Sequence, residues 1–343
     1  MKYIKKYLDK FKKSSKKEKT ILITGGTGSL GQALIKRLKQ SHKIIVYSRD
    51  EGKQALIFGD NPEIIRVIGD VRDYDKLNVT LKRHKVDYII HTAALKRIDD
   101  MEFYPDECVK TNINGSENVA RAALENNVKK CILVSTDKAC QPVNVYGSSK
   151  FIAERIFTNY DFYSTSTIFS SVRYGNVIAS RGSFIPLWLD MIKKEQTLKV
   201  THGDMTRFLF TLDDAVDAVL GALKHSLGGE VFVPQIKSYN LMHCIRALEK
   251  IAKIKKRASK EMVGLRPGEK LHEDMLAKTE LDFTYEVPDI NLLQIRPQYT
   301  NKTYQTDFQK YDGPEFNSAL WVTEDTRTDR KELIALIKKG LKC

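Results

Sequence analysis

The feature that most constrains the fold of this chain is a short apolar run that leads directly into closely spaced glycines. Residues Thr20–Thr24 are predicted to form a buried strand, a helical pattern through Leu34 and Leu38 follows, and between them lies the turn Gly25-Gly26-Thr27-Gly28-Ser29-Leu30-Gly31. Glycines in such a turn let the backbone approach a pyrophosphate, which then lies on the helix N-terminus. The strand, turn and helix together predict a dinucleotide-binding unit. The alternative is a glycine-rich turn that only packs the helix on the strand.

Apolar runs of strand length recur along the chain and alternate with helical patterns. They occupy residues 43–47, 64–68, 86–90, 130–134, 166–173 and 230–234. This alternation predicts an α/β fold with a doubly wound parallel sheet, known as a Rossmann fold. The regular alternation ends near residue 175, and we expect a smaller, interleaved C-terminal domain after it. The predicted dinucleotide-binding domain comprises residues 20–175 and about 208–235, and the second domain comprises residues 176–207 and 236–343.

Further helices are predicted outside this alternation. A long helix is expected from about residue 105, others near residues 241–252 and 270–277, and a final one within residues 321–339. The tail from about residue 280 is otherwise expected to be irregular, because it carries Pro288, Pro297 and Pro314.

The end of the second predicted strand indicates which dinucleotide is bound. An acidic residue at this tip favours NAD, whereas an arginine accommodates the 2′-phosphate of NADP. Ser48 and Arg49 precede Asp50, so the sequence favours NADP, with NAD as the alternative.

The third and fourth predicted strands end in further candidates for cofactor binding. Asp70 can accept a hydrogen bond from the adenine amino group, with the backbone of Val71 alongside. Ala93 and Ala94 are small enough to let a cofactor pass close to the backbone. His91 is expected to be packed or solvated rather than catalytic.

Two motifs around residue 140 carry the candidate chemistry. Thr136, Asp137 and Lys138 follow the fifth apolar run, so we expect them at the carboxyl end of a strand, where open α/β sheets bind ligands. Tyr146 and Lys150 are four residues apart and share one face of a predicted helix. A lysine ammonium lowers the pKa of a neighbouring tyrosine, which makes the pair an acid–base unit for a hydroxyl that loses a hydride. The alternative is an unrelated Tyr and Lys on a surface helix.

Three arginines flanked by small or turn residues are candidates for binding a diphosphate. They are Arg181, Arg207 and Arg266. A guanidinium fork matches the geometry of phosphate oxygens. We expect two of the three to bind phosphate, and a structural salt bridge is the alternative for each.

The net charge of +14 is concentrated at the N-terminus. Residues 1–20 hold nine lysines against two acidic residues, and apolar residues recur there at helical spacing. Residues 1–19 are therefore predicted to form a basic amphipathic helix, which either caps the domain or meets a membrane surface or an acidic partner. No nucleic-acid recognition motif accompanies the charge, so we expect no nucleic-acid partner.

Composition and cysteine usage indicate the class and compartment of the protein. No apolar run approaches the ~18 residues of a membrane span. The five cysteines are scattered and odd in number, which favours a reduced compartment. With no secretory signal visible, we expect a cytoplasmic protein, and with no zinc pattern we expect no metal site.

Taken together, these motifs resemble the extended short-chain dehydrogenase/reductase superfamily. Within it they resemble the inverting UDP-N-acetylglucosamine 4,6-dehydratases of capsule, flagellin-glycan and related sugar pathways. The resemblance covers about residues 19–280 and is carried by residues 24–31, 47–51, 93–96, 135–139, 146–150, 205–208 and 266–270. Its most specific part is Asp137-Lys138, because 4-epimerases of this superfamily lack the acid and retaining 4,6-dehydratases have Glu after Asp.

The resemblance implies a reaction and a role for each residue of the two central motifs. The sugar would be oxidised at C4, lose water across C5 and C6, and regain the hydride at C6. Lys138, if neutral, would remove the C5 proton, and Asp137, if protonated, would protonate the leaving 6-hydroxyl. Tyr146 would take the 4-hydroxyl proton with support from Lys150, and Thr136 would hydrogen-bond the sugar. A dry pocket would supply the pKa shifts that Asp137 and Lys138 need.

The resemblance also implies ligands and partners. The residues that match nucleotide-sugar or cofactor positions are Lys96, Asn176, Arg207, Arg266 and Glu269. A UDP-sugar substrate, a permanently bound NADP and a homo-oligomer, either a dimer or a higher even assembly, would follow. The pairing helices would lie around residues 105–126 and 144–158. Alternatives are a 4-epimerase or reductase, a retaining 4,6-dehydratase acting on UDP-glucose, and a non-catalytic NADP-binding scaffold.

Overall fold

The apolar runs lie side by side in one nine-stranded sheet. A computed structural model describes residues 18–180, 182–288, 290–304, 308–318 and 328–342. In chain order its strands are β1 (Lys19–Thr24), β2 (His42–Ser48), β3 (Ile64–Ile68), β4 (Tyr88–His91), β5 (Lys130–Val134), β6 (Ile168–Val172), β7 (Asn176–Val177), β8 (Leu198–Val200), β9 (Thr206–Phe210), β10 (Val231–Pro234), β11 (Ser238–Asn240), β12 (Lys260–Met262), β13 (Thr284–Glu286) and β14 (Leu292–Ile295).

The large sheet has the order β13-β14-β10-β6-β5-β4-β1-β2-β3. From β10 to β3 the strands are parallel, whereas β14 runs antiparallel to both β10 and β13. The strand order reverses between β1 and β4, which is the point where such sheets bind ligands. The predicted doubly wound Rossmann fold is confirmed.

Helices of the described chain either cover the two faces of this sheet or pack outside it. They are α1 (Ser29–Leu38), α2 (Glu51–Phe58), α3 (Tyr74–His84), α4 (Ile98–Phe103), α5 (Pro105–Cys108), α6 (Gly115–Glu125), α7 (Val145–Tyr163), α8 (Phe184–Lys193), α9 (Leu212–His225), α10 (Leu241–Ala252) and α11 (Thr328–Leu341). Along β1, Ile21 and Ile23 pack with α1 and α9, while Leu22 packs with α3, α6 and α7 on the other face. Across the part of the chain that the structure describes, no helix is long and apolar enough to span a bilayer.

A separate apolar cluster lies outside the large sheet. Helices α8, α10 and α11 contribute Trp188, Leu248 and Ile337 to it. Strands β11, β9 and β7 form a small sheet, and β12 pairs with β8. Apart from β9, which crosses the predicted boundary near residue 208, these elements come from the region assigned to the second domain, whose exact boundaries stay a prediction.

The helix predicted near residues 270–277 is wrong. This segment runs alongside residues 316–318 instead: the Met275 amide donates to the Phe316 carbonyl and the Ser318 amide donates to the Glu273 carbonyl, each at 2.7 Å. Met275 and Leu276 are both fully buried. Hydrogen bonds to a distant segment therefore replace the helical ones that the local pattern favours.

Two other expectations for the helices and the tail need correction. The tail is not wholly irregular, because β13 and β14 extend the large sheet. The helix expected from residue 105 is interrupted by a π-helical segment, Val109–Asn114. Within that segment the Asn112 amide donates to the Leu95 carbonyl and the Ser149 hydroxyl, so long-range contacts hold the distortion.

Some predictions fall on residues outside the described part. Residues 1–17 of the predicted N-terminal helix, residues 321–327 of the final helix and Arg181 are among them. The faces expected to pair two copies carry exposed Val109 and Ile152, but assembly stays a prediction.

A fully buried guanidinium joins three parts of the molecule. Arg173 follows β6 and donates to both oxygens of Glu154 on α7, with Nη2 2.8 Å from Oε2. It also donates to both oxygens of Glu280 at 2.7 and 2.8 Å, and to the Met275 carbonyl. This ion triad fixes helix α7 and the C-terminal segment against the end of the sheet.

Replacing Arg173 with leucine should destabilise the protein by about 3–5 kcal/mol, because it leaves the buried Glu154 without its cation. Urea unfolding measures the change. The matched control is R155L on the same helix, since Arg155 is half-exposed and reaches Glu154 only at 4.0 Å. That control should change stability by no more than about 0.5 kcal/mol. Equal losses in both variants would contradict the assignment.

Candidate active site

The glycine turn after β1 is built for close approach of backbone to backbone. Gly25 has φ +67°, and a Cβ there would lie 2.8 Å from the Ala93 backbone at the end of β4. A Cβ on Gly31 would lie 2.6 Å from Gly26 Cα, so this glycine lets α1 pack on the turn. Thr27, Gly28, Ser29 and Leu30 complete the turn, and the Gly28 amide donates to the Gly25 carbonyl at 2.9 Å. Their binding to a cofactor stays a prediction.

The ends of β2 and β3 bring two guanidinium groups to one carboxylate. Arg49 Nη1 lies 3.7 Å from Asp70 Oδ2, and Arg72 Nη2 lies 2.8 Å from the same oxygen. Burial acts to raise the pKa of Asp70, but hydrogen bonds and charge from Arg72 outweigh it and hold that pKa below its usual value. Ser48 accepts a hydrogen bond from Gln54, and Val71 is buried. Sequence reasoning missed Arg72, although its position two residues after Asp70 was a usable signal.

The predicted acid–base pair lies at the start of α7, facing the carboxyl end of β5. Asn144 caps the helix by accepting from the Gly147 amide. Burial raises the pKa of Tyr146 to about 12, against opposing effects of the Lys138 charge and a hydrogen bond with Thr136. The lysine whose charge acts to lower the tyrosine pKa here is Lys138, and the support predicted from Lys150 stays a prediction. Burial lowers the pKa of Lys150 itself to about 8.

Asp137 and Lys138 form a short turn directly after β5. Lys138 Nζ lies 2.9 Å from Asp137 Oδ1, and the Thr136 hydroxyl donates to the same oxygen at 2.8 Å. Asp137 is only 1% exposed, and its Oδ2 is buried with no hydrogen-bond partner among the described residues. One carboxylate oxygen is thus held in place, while the other makes no hydrogen bond within the described part of the chain.

The prediction that a dry pocket makes Lys138 neutral is wrong for this arrangement. Burial acts to lower the pKa of Lys138, but the carboxylates of Asp137 and Glu273 outweigh it and raise that pKa above its usual value. Glu273 Oε1 lies 3.5 Å from Lys138 Nζ. Sequence reasoning missed Glu273, because it lies in the segment predicted to be a helix.

The two arginine candidates that lie in the described ranges differ in burial and in their partners. Arg207 is buried on β9 and donates to the carbonyls of Thr206, Lys270 and Leu271. Its Nη2 also lies 3.4 Å from Glu269, so much of its donor capacity is used within the protein.

Arg266 is exposed and pairs with Asp99 at 3.1 Å. Lys96 is exposed beyond β4, after Ala93 and Ala94. Asn176 Oδ1 is buried and, in the described ranges, accepts no hydrogen bond. The substrate-binding roles of these residues stay predictions.

The arrangement at the end of β5 can move protons to and from a bound hydroxyl and a neighbouring carbon. One cluster holds three titratable groups, those of Tyr146, Asp137 and Lys138. Lys150 supplies a fourth, one helical turn after Tyr146 on α7. The fold and this cluster define a protein of the short-chain dehydrogenase/reductase type. The chain belongs to the family of polysaccharide biosynthesis proteins, whose sequence profile matches residues 21–295. The family resemblance read from the motifs is confirmed.

Relatives within this family carry more than one name. The chain is 42% identical over 339 residues to a UDP-N-acetylglucosamine 4,6-dehydratase (inverting) of Campylobacter jejuni, covering 93% of this chain and 97% of that protein. It is also 42% identical over 274 residues to a UDP-glucose 4-epimerase of Rickettsia bellii, covering 77% of this chain and 79% of that protein. Among solved structures, Pen from Bacillus thuringiensis is 34% identical with a TM-score of 0.84, covering 94% of this chain and 99% of that one.

Replacing Lys138 with methionine should make stability depend strongly on pH. The change leaves the buried carboxylates of Asp137 and Glu273 without their shared cation. Burial already raises the pKa of Glu273, and loss of the cation raises it further. A carboxylate with a raised folded-state pKa destabilises the fold as pH rises through that value, so K138M should lose about 3–5 kcal/mol at neutral pH and recover towards about pH 5.

Urea unfolding at a series of pH values measures this change. The double variant K138M/E273Q should remove most of the pH dependence. K39M is the control, because Lys39 pairs with Glu63 at the surface. A loss in K138M that is the same at every pH would contradict the interpretation.

Proposed function

We propose that this chain is an NADP-dependent UDP-N-acetylglucosamine 4,6-dehydratase that inverts C5. Its product would be a UDP-4-keto-6-deoxy-L-hexosamine for glycan biosynthesis. The observation that carries the proposal is the Asp137–Lys138 pair beside Tyr146, with one buried carboxylate oxygen left for a ligand. The Campylobacter jejuni relative, which this chain matches over nearly its whole length, supports the same activity.

The residues at the β1–β4 switch point fit a nicotinamide dinucleotide. Gly25 and Gly31 leave space that a Cβ would fill, and the turn lies at the N-terminus of α1, where a pyrophosphate is favoured. Arg49 after β2 and Arg72 after β3 supply positive charge beside the tip of the second strand, which favours the 2′-phosphate of NADP over the hydroxyl of NAD. When bound, the nicotinamide would accept a hydride from C4 and return it to C6.

The chain's own groups carry the protons of the proposed reaction. Tyr146 acts on the 4-hydroxyl as a phenolate, which the ammonium of Lys150 stabilises, and it becomes a phenol when it takes that proton. Lys138 is an ammonium in the resting site, so it must first pass a proton to Asp137, whose Oδ1 lies 2.9 Å from its Nζ. This transfer yields a neutral amine and a neutral acid without changing the total charge.

The neutral form of the pair has both functions that elimination requires. The Lys138 amine removes the C5 proton, which the C4 ketone has made acidic, and the Asp137 acid protonates the leaving 6-hydroxyl as water. After this step Lys138 is again an ammonium and Asp137 a carboxylate, so the ion pair is restored. A proton that solvent delivers to C5 from the opposite face of the ring inverts that centre, and Tyr146 releases the proton it took, so the protons balance over one turnover.

A nucleotide-sugar 4-epimerase is the second candidate, since the Rickettsia bellii relative carries that name. Epimerisation at C4 needs Tyr146 and Lys150, which both reactions share. It has no step that uses an acid at C6 or a base at C5. The buried Asp137–Lys138 pair therefore favours the dehydratase. The reaction of a retaining dehydratase on UDP-glucose would differ only in the sugar and in the configuration of C5 in the product.

The purified protein should convert UDP-N-acetylglucosamine in deuterated water to a 6-deoxy-4-keto sugar with deuterium at C5 and an L-configured ring. Proton NMR of the product measures all three features. Deuterium at C5 with retained configuration would overturn inversion. A C4 epimer without loss of water would establish the second candidate instead.

Two variants separate the steps of the same assay. K138M should lower the rate of deuterium incorporation at C5 by about 10²–10⁴-fold, because it removes the proposed base. Y146F should lower the rate of every product by a similar factor, since oxidation at C4 comes first. R121L, on the exposed face of α6, serves as the control. Unchanged C5 labelling in K138M would remove Lys138 from its proposed role.

Replacing Arg49 with leucine should weaken NADP binding by about 10–100-fold, because a charge-assisted contact with phosphate is lost. The Kd for NAD should stay within about threefold of the parent value, since NAD lacks that phosphate. Isothermal titration calorimetry with both dinucleotides measures the two affinities, again with R121L as control. Equal weakening for NAD and NADP would show that Arg49 does not read the 2′-phosphate.

A further inference from the structure

Glu273 is a buried carboxylate that the proposed reaction has not used. It is 2% exposed and lies in the segment that pairs with residues 316–318. Its Oε1 is 3.5 Å from Lys138 Nζ and 3.9 Å from Arg207 Nε. Its Oε2 is buried and accepts no hydrogen bond from the described part of the chain.

The contacts of Glu273 differ from those of the structural carboxylates in this protein. Glu154 and Glu280 each accept two or more hydrogen bonds, and both meet the guanidinium of Arg173 at 2.7–2.8 Å. Glu273 makes only longer ionic contacts and leaves one oxygen unpaired. A buried carboxylate in that state destabilises a fold, so stability alone does not account for it.

We propose that Glu273 is a positioning residue, which shares the Lys138 ammonium with Asp137 and keeps one proton on that pair between turnovers. This inference rests on the proposed dehydratase function. Elimination needs a neutral Lys138 together with a protonated Asp137, and that form holds the same single proton as the resting ion pair. If the pair lost its proton to solvent, Asp137 could not protonate the leaving hydroxyl. A second carboxylate beside Lys138 opposes that loss.

Several other charged groups face this cluster. Lys270 and Arg207 act on Glu273 as cations, while Asp137 acts as an anion. Tyr146 faces Lys138 from α7. Glu269 pairs with Arg207, His272 bonds to Thr206 and Asp274 pairs with Lys270, so each of these is already engaged by another partner.

Removing the charge of Glu273 should shift the pH profile of the activity in one direction. The pair Lys138–Asp137 would lose a neighbouring negative charge, so each of its protonations would become less favourable. Both the acid limb, where the pair takes up a second proton, and the alkaline limb, where it loses its last one, should move to lower pH. A residue with a purely structural role would change the amount of folded protein and leave the position of these limbs unchanged.

The experiment measures kcat and KM for dehydration of UDP-N-acetylglucosamine across pH in the parent, E273Q, E273D and E249Q. E273Q should move the acid limb down by at least about half a pH unit and lower kcat about tenfold or more, with KM within about twofold. E273D keeps the charge on a shorter side chain, so its shift should be smaller and in the same direction. E249Q is the matched control, because Glu249 on α10 is a buried carboxylate that pairs with Arg257, and its neighbour Leu248 belongs to the separate apolar cluster.

Each outcome decides something different. An E273Q profile that coincides with those of the parent and E249Q would overturn the positioning role, even if E273Q is less stable. If E273Q does not fold, the graded shift in E273D decides the question, and an unshifted E273D overturns the role. A parent protein that forms no dehydrated product would overturn the proposed function itself, and this inference with it.

Discussion

The geometry of the candidate site depends on the buried guanidinium of Arg173. This side chain lies beyond the end of β6 and binds Glu154 and Glu280 through paired hydrogen bonds. Glu154 lies one helical turn beyond Lys150 on α7, and Glu280 follows the segment that carries Glu273. One planar fork therefore sets the distance between the helix that holds the tyrosine and the segment that faces Lys138. A lysine could not replace it, because a single ammonium cannot bind two carboxylates edge to edge.

The same site shifts the pKa values of two lysines in opposite directions. Burial lowers the pKa of Lys150 to about 8, whereas Asp137 and Glu273 overcome burial and raise the pKa of Lys138. Environments that push the pKa values of similar groups apart are typical of sites where each group has its own role. Lys138 is held in an ion pair with Asp137, the pair to which the proposed mechanism gives the proton transfers, whereas the lowered pKa of Lys150 lies near neutral to mildly alkaline pH. Their different neighbours, rather than their residue type, create this division.

Local patterns were sufficient to predict the central sheet and the positions of Tyr146, Lys150 and Asp137. Each of these depends on a strand, a turn or a helix that a few consecutive residues encode. Glu273 and β14 could not be predicted in this way. The first gains its role from Lys138, far away in the sequence, and the second is a four-residue strand stabilised by pairing with β10. The state of Lys138 was mispredicted for the same reason, since burial was considered without the second carboxylate.

The choice between elimination and epimerisation rests on the hydrogen bonds of the buried Asp137 carboxyl group. Both reactions begin with loss of a hydride from C4, a step that the proposed mechanism assigns to Tyr146 and Lys150 alone among the protein's groups. Asp137 has one oxygen fixed by Thr136 and Lys138 and another that no described residue contacts. Leaving a buried polar atom unpaired costs about 1–3 kcal/mol, and a site that only exchanged hydride at C4 would gain nothing from it. In the proposed mechanism a leaving hydroxyl takes a proton from that oxygen, which gives the arrangement a function that only a dehydratase would use.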